Sequence, residues 1–224
     1  MKIKVLLSFL ILVLMSFVVT PPKVEKDKDA NKLLKDVSKK YKAYTSLKAD
    51  FTMLNEPADG KKSTTEKGSL WSKGNNFKLN FAGQQIFCNG KFIWTYTAET
   101  NECVKDNYNP NSAKGINPTK LFTIWEKGFL YISEGSYKKG TSTISKIKLT
   151  PTDKSVPYFL MNLEVDNTLK TLQSMKVSYK AGNKQTYTIT QQKANEAILD
   201  KEFVFDASKF SGVEIIDLTS KSKK

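Results

Sequence analysis

The sequence predicts a mainly β fold: a curved antiparallel sheet of about eleven strands with two helices laid across its concave side. Three observations predict it. After Ser46 apolar and polar residues alternate through most of the chain, as in Leu47-x-Ala49-x-Phe51-x-Met53 and Phe159-x-Met161-x-Leu163-x-Val165. Turn signals separate the alternating runs: Ala82-Gly83, Asn89-Gly90, Asp166-Asn167 and Ala181-Gly182-Asn183. Helical signals stand out in only two stretches. A flat sheet of this width would be unusual, because sheets that wide curl or close.

The elements follow in order. Residues 1–20, MKIKVLLSFLILVLMSFVVT, pair two lysines with a largely apolar run from Val5 to Val19. That run is short for a bilayer span of ~20 residues and suits a secretory signal peptide. It lacks an Ala-x-Ala site, so it is compatible with removal after Ser16 or with retention as a tether. The first cysteine is Cys88, so an N-terminal lipid anchor on cysteine is not expected. Residues 21–30, PPKVEKDKDA, read as a polar linker. From Asn31, Leu33, Leu34, Val37, Tyr41 and Tyr44 recur at helical spacing.

Strands are predicted at 47–55, 65–73, 75–81, 84–88, 91–97, 101–106, 128–133, 143–150, 157–166, 171–180 and 184–192. NPTKLFTIW (117–125) interrupts them as a second helix, with Asn117 as N-cap and Pro118 at the first helical position. It presents Leu121, Phe122 and Trp125 on one side. The lysine-rich tail 219–224 closes the chain.

Composition removes whole classes of chemistry. The formal net charge is +14, every basic residue is a lysine, and there is no histidine. Ser-His-Asp and Cys-His nucleophiles are therefore excluded, as is a His-ligated metal. Arginine contacts to base edges are excluded as well, so nucleic acid is not an expected partner. No spacing forces two carboxylates together and no glycine-rich phosphate loop is present. The reading is of a monomeric, non-enzymatic protein with no catalytic residue, no metal and no cofactor.

Cys88 and Cys103 are predicted to be free. A two-residue type I′ turn at Asn89-Gly90 sets Cys88 opposite Lys91, on the face of Ile93 and Thr95. Cys103 then falls opposite Tyr96, on the other face and two strands away, too far for a disulfide.

The candidate site is the summed inward face: Phe51, Met53, Phe77, Leu79, Phe81, Trp94, Tyr96, Phe159, Met161, Leu163, Met175, Val177 and Tyr179. The helices contribute Leu33, Leu34, Val37, Leu121, Phe122 and Trp125 as a lid. The rings of Phe92, Trp94 and Tyr96 admit two readings, ordinary core packing or the lining of a hole. An open sheet with two thin helical covers is expected to leave unfilled apolar volume, and the methionines suit a wall that adapts to its guest.

Several stretches taken together resemble the periplasmic outer-membrane lipoprotein carriers (LolA-like proteins), from about Ala30 to Leu218. They are KLLKDVSKKYKAYTSLKADF (32–51), GSLW (68–71) with Lys73, NGKFIWTY (89–96), NPTKLF (117–122), LTP (149–151) and FVFDASKFSGVEIIDL (203–218). The resemblance implies an unclosed antiparallel half-barrel of eleven strands with a helical lid over a hydrophobic cavity. It implies a carrier domain at 31–218 that works in the periplasm. Such a carrier takes the acyl chains of lipoproteins from an ATP-driven inner-membrane release complex to an outer-membrane acceptor. It places Phe77 at the cavity mouth, in contact with those partners. One departure concerns the lid: the family often has Arg-Pro after the lysine matching Lys73, and that arginine latches the lid, whereas here Gly74-Asn75 follow. Rival readings are a general periplasmic lipid-binding or lipoprotein-sensing protein, and a basic anion-binding surface protein.

Overall fold

The computed structural model describes residues 27–110 and 118–219. The signal segment, Asn117 and the KSKK tail lie outside the described residues.

Helix α1, Lys28–Lys42, starts three residues before the apolar period suggested, inside the expected linker. Its cap explains the difference. The Asp27 carboxylate accepts from Asp29 N at 2.9 Å and Ala30 N at 3.0 Å, satisfying two donors the first turn would otherwise leave open. Lys39, Lys40 and Lys42 sit in the last turn, where the helix dipole favours positive charge. Ala30, Leu34, Val37 and Tyr41 form the buried face.

Twelve strands make one sheet: β1 Leu47–Glu56, β2 Thr64–Lys73, β3 Asn76–Phe81, β4 Gln84–Cys88, β5 Phe92–Thr97, β6 Glu102–Asn107, β7 Phe129–Lys139, β8 Ser142–Pro151, β9 Tyr158–Asp166, β10 Thr171–Tyr179, β11 Lys184–Ala194 and β12 Glu214–Asp217. Their spatial order is β12-β6-β5-β4-β3-β2-β1-β11-β10-β9-β8-β7. The end strands β12 and β7 do not pair with each other, so the sheet is an unclosed half-barrel. Eleven strands match the alternating runs. The twelfth, EIID, was missed: it is short and lies parallel to β6, Glu214 opposite Glu102 through Asp217 opposite Lys105. Nothing local in four residues announces a parallel pairing. β7 also runs on to Lys139, past a register shift between Ser133 and Ser136.

The Asn89-Gly90 turn differs from expectation. Cys88 pairs with Ile93, not Lys91, and Gly90 has φ +80° while Asn89 stays out of the left-handed region. Asn89 instead accepts from Lys91 N at 3.0 Å and Phe92 N at 2.8 Å, a side-chain turn that closes a wider loop. A shift of two residues preserves which face each side chain takes. The two-residue turn with both residues at positive φ is Ala82-Gly83, at +51° and +73°, between paired Phe81 and Gln84.

The sheet has two apolar faces. The inner, concave face carries the main core, covered by α1 and by the 3₁₀ helix Pro118–Glu126. The outer face of β4–β6 carries Phe87, Trp94, Tyr96 and Cys103, which form a second cluster with Phe205. The segment after β11, with its 3₁₀ turns Asp200–Phe203 and Ala207–Lys209, folds over that face. Cys88 belongs to the inner cluster and Cys103 to the outer, and both are free.

Candidate functional site

The site is built from the inner face upward. Strands β8–β10 supply its floor: Ile147, Leu149, Met161, Leu163, Val165, Met175 and Val177 are each no more than 1% exposed. Alternation puts these side chains on one side of the pleat. Leu34, Val37, Tyr41, Phe122 and Trp125 descend onto them from the lid, all at most 8% exposed. At such exposures the lid side chains pack directly on the floor. Open clefts of about 580 Å³, lined by Leu34, Ser38, Trp125 and Tyr131, and about 270 Å³, lined by Ala30, Leu33 and Ile147, flank α1. The room between α1 and the middle of the floor is filled. The lid's own side chains occupy it.

The lid is held by named contacts. Tyr41 stacks on Phe122, ring centroids 4.6 Å apart. The indole N–H of Trp125 reaches Ser38 Oγ at 2.9 Å and Leu34 O at 3.1 Å, tying the 3₁₀ helix to α1. Tyr41 anchors α1 to the sheet: its hydroxyl donates to Gln192 Oε1 at 2.7 Å and accepts from Leu172 N at 3.1 Å. Gln192 Nε2 in turn donates to Leu172 O at 2.9 Å. This triangle satisfies the backbone of Leu172 beside a ladder irregularity between Leu172 and Ser174. Tyr131 donates to Asn31 Oδ1 at 2.7 Å, and Lys42 pairs with Glu126 at the surface. Lys73 takes no part in the lid. It points outward and binds Ile198 O at 3.2 Å and Asp200 Oδ1 at 2.8 Å, fixing the C-terminal segment.

Burial pushes the Tyr41 hydroxyl well above the usual tyrosine range, outweighing its two hydrogen bonds. Burial, with Tyr179 alongside, pushes Tyr187 up to about 12. A group whose pKa rises on folding lends stability that is complete below its unfolded value, about 10, and is lost as pH climbs through the folded value. Stability should thus decline between pH ~10 and ~12. Tyrosinate absorbance should show these two hydroxyls ionising only as circular dichroism reports unfolding. Ionisation of every tyrosine near pH ~10 in the folded protein would contradict that.

Away from the lid, the inner face is only partly covered. Phe51, Leu79, Phe81, Ile86, Ile93, Tyr158, Tyr179 and Tyr187 are partly exposed. Phe51 meets Phe81 at 5.6 Å and Tyr187 at 6.2 Å, and Phe129 stacks on Tyr158 at 6.3 Å. Gly68 makes this shelf possible. A Cβ there would lie 2.3 Å from Phe51 Cζ, so only glycine lets the Phe51 ring lie across β2.

Of the residues named from sequence, Phe77, Leu79, Met161, Leu163, Met175, Val177 and Tyr179 lie in or against the inner cluster. Phe51 and Phe81 join them across the shelf, beside buried Met53. All six lid residues, Leu33, Leu34, Val37, Leu121, Phe122 and Trp125, meet the same cluster.

Three assignments are corrected. Trp94 and Tyr96 are on the outer face, where Tyr96 lies 4.3 Å from the Phe210 ring and 6.0 Å from the Phe205 ring. Alternation showed that they share a face but not which one. The deciding partner, FVF at 203–205, is over a hundred residues away in sequence. Phe159 is 52% exposed, because a bulge between Ser178 and Tyr179 pairs Tyr158 with Tyr179 and gives the inner position to Tyr158. Phe77 keeps its place on the inner face, 2% exposed and packed edge-on to Tyr108 at 5.9 Å. Sequence reading also missed Tyr41 and Gln192 as lid anchors. The pattern gives Tyr41 its place on the helix, but its bonds cross from α1 to β10 and β11.

An unclosed half-barrel whose concave apolar face is covered, among the described residues, by two helical elements defines a class of protein built around a coverable trough. Comparison with known families agrees. The family described as outer membrane lipoprotein carrier protein LolA matches residues 42–206, and the chain belongs to that family. Among solved structures, an uncharacterized conserved protein from Thermus thermophilus superposes with a TM-score of 0.56 at 12% identity, over 85% of this chain and 99% of that one. The LolA superfamily protein NE2245 from Nitrosomonas europaea gives 0.41 at 14% identity, over 79% and 98%. LprF from Mycobacterium bovis gives 0.48 at 13% identity, over 78% and 96%. No curated protein matches the sequence.

Proposed function

We propose that the protein is a periplasmic carrier that binds the acyl chains of lipoproteins on its inner face and ferries them from the inner to the outer membrane. Its partners in this reading are acylated lipoproteins, an ATP-driven release complex and an outer-membrane acceptor. The observation that carries the proposal is the lid: the apolar trough is filled by residues of two short helical elements rather than by a second sheet. Displacing Leu34, Val37, Phe122 and Trp125 would bare a continuous wall from β8 to β10, adjoining the shelf of Phe51, Phe81 and Tyr187.

The energetics suit a carrier. Taking a sixteen-carbon chain out of water is worth roughly 12 kcal/mol at about 0.8 kcal/mol per CH₂. A bilayer offers the chain similar apolar contact, so a carrier that bound with that full energy would not unload. A guest that must first displace the lid's own contacts binds with only the difference. In this reading Phe77 becomes accessible when the lid lifts, and then meets the partner. The test is to examine the protein by native mass spectrometry after export and to titrate the delipidated protein with a fluorescent fatty acid. Co-purified acyl species and saturable, stoichiometric uptake are expected. Absence of both would overturn the proposal.

A further inference from the structure

Helix α1 has a second face that the lid does not use. Lys28, Lys32, Lys35, Lys39 and Lys42 follow one another at steps of four, three, four and three, and all five are exposed. At 3.6 residues per turn this spacing puts them on one line, opposite the buried Leu34, Val37 and Tyr41. The line runs the length of the helix, roughly 22 Å at 1.5 Å per residue. Asp29 and Asp36 lie to one side of it, and Glu126 pairs with Lys42 alone at its end. The other four lysines have no carboxylate partner among the ion pairs of the described residues.

We infer that this stripe docks the lid helix on an anionic phospholipid bilayer. The chemistry selects that partner. An acidic protein would be expected to offer pockets for aromatic or arginine anchors, and the stripe presents neither. A row of flexible, strongly hydrated ammonium groups discriminates weakly among anions and suits a diffuse plane of phosphates. Each such lysine near an anionic surface contributes on the order of a five-fold gain in binding, additive along the row. The charged face is on the lid itself, so docking brings the covering element, not the back of the sheet, to the membrane. That orientation is independent of what the trough carries.

The purified protein should sediment with vesicles of mixed phosphatidylglycerol and phosphatidylcholine but not with phosphatidylcholine alone, and added salt should release it. Reversing three charges with Lys28→Glu, Lys32→Glu and Lys35→Glu should weaken vesicle binding by at least about 100-fold. A control of equal charge change, Lys61→Glu, Lys62→Glu and Lys184→Glu at the far end of β1, should weaken it much less. Circular dichroism should show both variants folded, as expected for exposed positions. Three results would each overturn the inference: no binding to the mixed vesicles, equal loss in the two variants, or equally tight binding of the wild type to polyglutamate. Fatty-acid uptake in vesicle-free solution should be unchanged in the α1 variant. Absence of uptake in the wild type with vesicle binding intact would sink the carrier reading alone.

Discussion

Trp125→Ala should lower the stability of the protein by about 3–5 kcal/mol and yet raise its affinity for an acyl chain. The stability loss follows from position. Trp125 is 2% exposed, fills the space between α1 and the floor, and donates the hydrogen bonds to Ser38 Oγ and Leu34 O that join the two lid elements. Truncation leaves a large cavity and strips a partner from buried polar atoms. The gain in affinity follows from competition. If even about 1.4 kcal/mol of the loss falls on the closed lid relative to the open one, apparent acyl affinity rises about tenfold. Chemical denaturation and fatty-acid titration of the same sample check both signs. A variant that is destabilised and binds no better would mean that the lid does not compete with the guest.

Gly68→Val should have the second largest effect, at the opposite side of the trough. The new Cβ would meet Phe51 Cζ at 2.3 Å and both ring Cε atoms within 2.8 Å. Because Phe51 is braced between Phe81 and Tyr187, the ring cannot swing away without disturbing the shelf. Overpacking of this kind costs typically about 1–3 kcal/mol. The diagnostic is rescue: Phe51→Ala should restore much of the stability lost to Gly68→Val, although alone it is destabilising. Additive losses in the double variant would show that the two positions do not share that space.

These two positions also show what the sequence could disclose. The lid's buried stripe was legible because Leu34, Val37 and Tyr41 repeat at helical spacing, and an amphipathic helix lying on a sheet buries its apolar face. The floor was legible because Met161, Leu163 and Val165 alternate without interruption. Phe159 was not, since one bulged residue reverses the parity of everything before it, and the bulge is set by the neighbouring strand. Trp94 and Tyr96 show a different limit. A half-barrel has two faces, and which one receives a given stripe depends on where a distant segment, here Phe205 and Phe210, chooses to lie. The occupancy of the trough was illegible for a related reason. The pattern counts apolar side chains on each face, but whether Phe122 and Trp125 stand in the trough or beside it is decided by tertiary contacts such as Tyr41 on Phe122.

The most direct test follows Trp125 itself. In a variant carrying Trp71→Phe and Trp94→Phe, Trp125 is the sole indole, since the chain has three tryptophans. Titration with a brominated fatty acid should quench its emission, and titration with an unbrominated one should shift it to the red as the ring leaves its dry position against Leu34 and Ser38. Saturable binding of the fatty acid with Trp125 emission unmoved in both titrations would contradict the idea that guest and lid take turns in one trough.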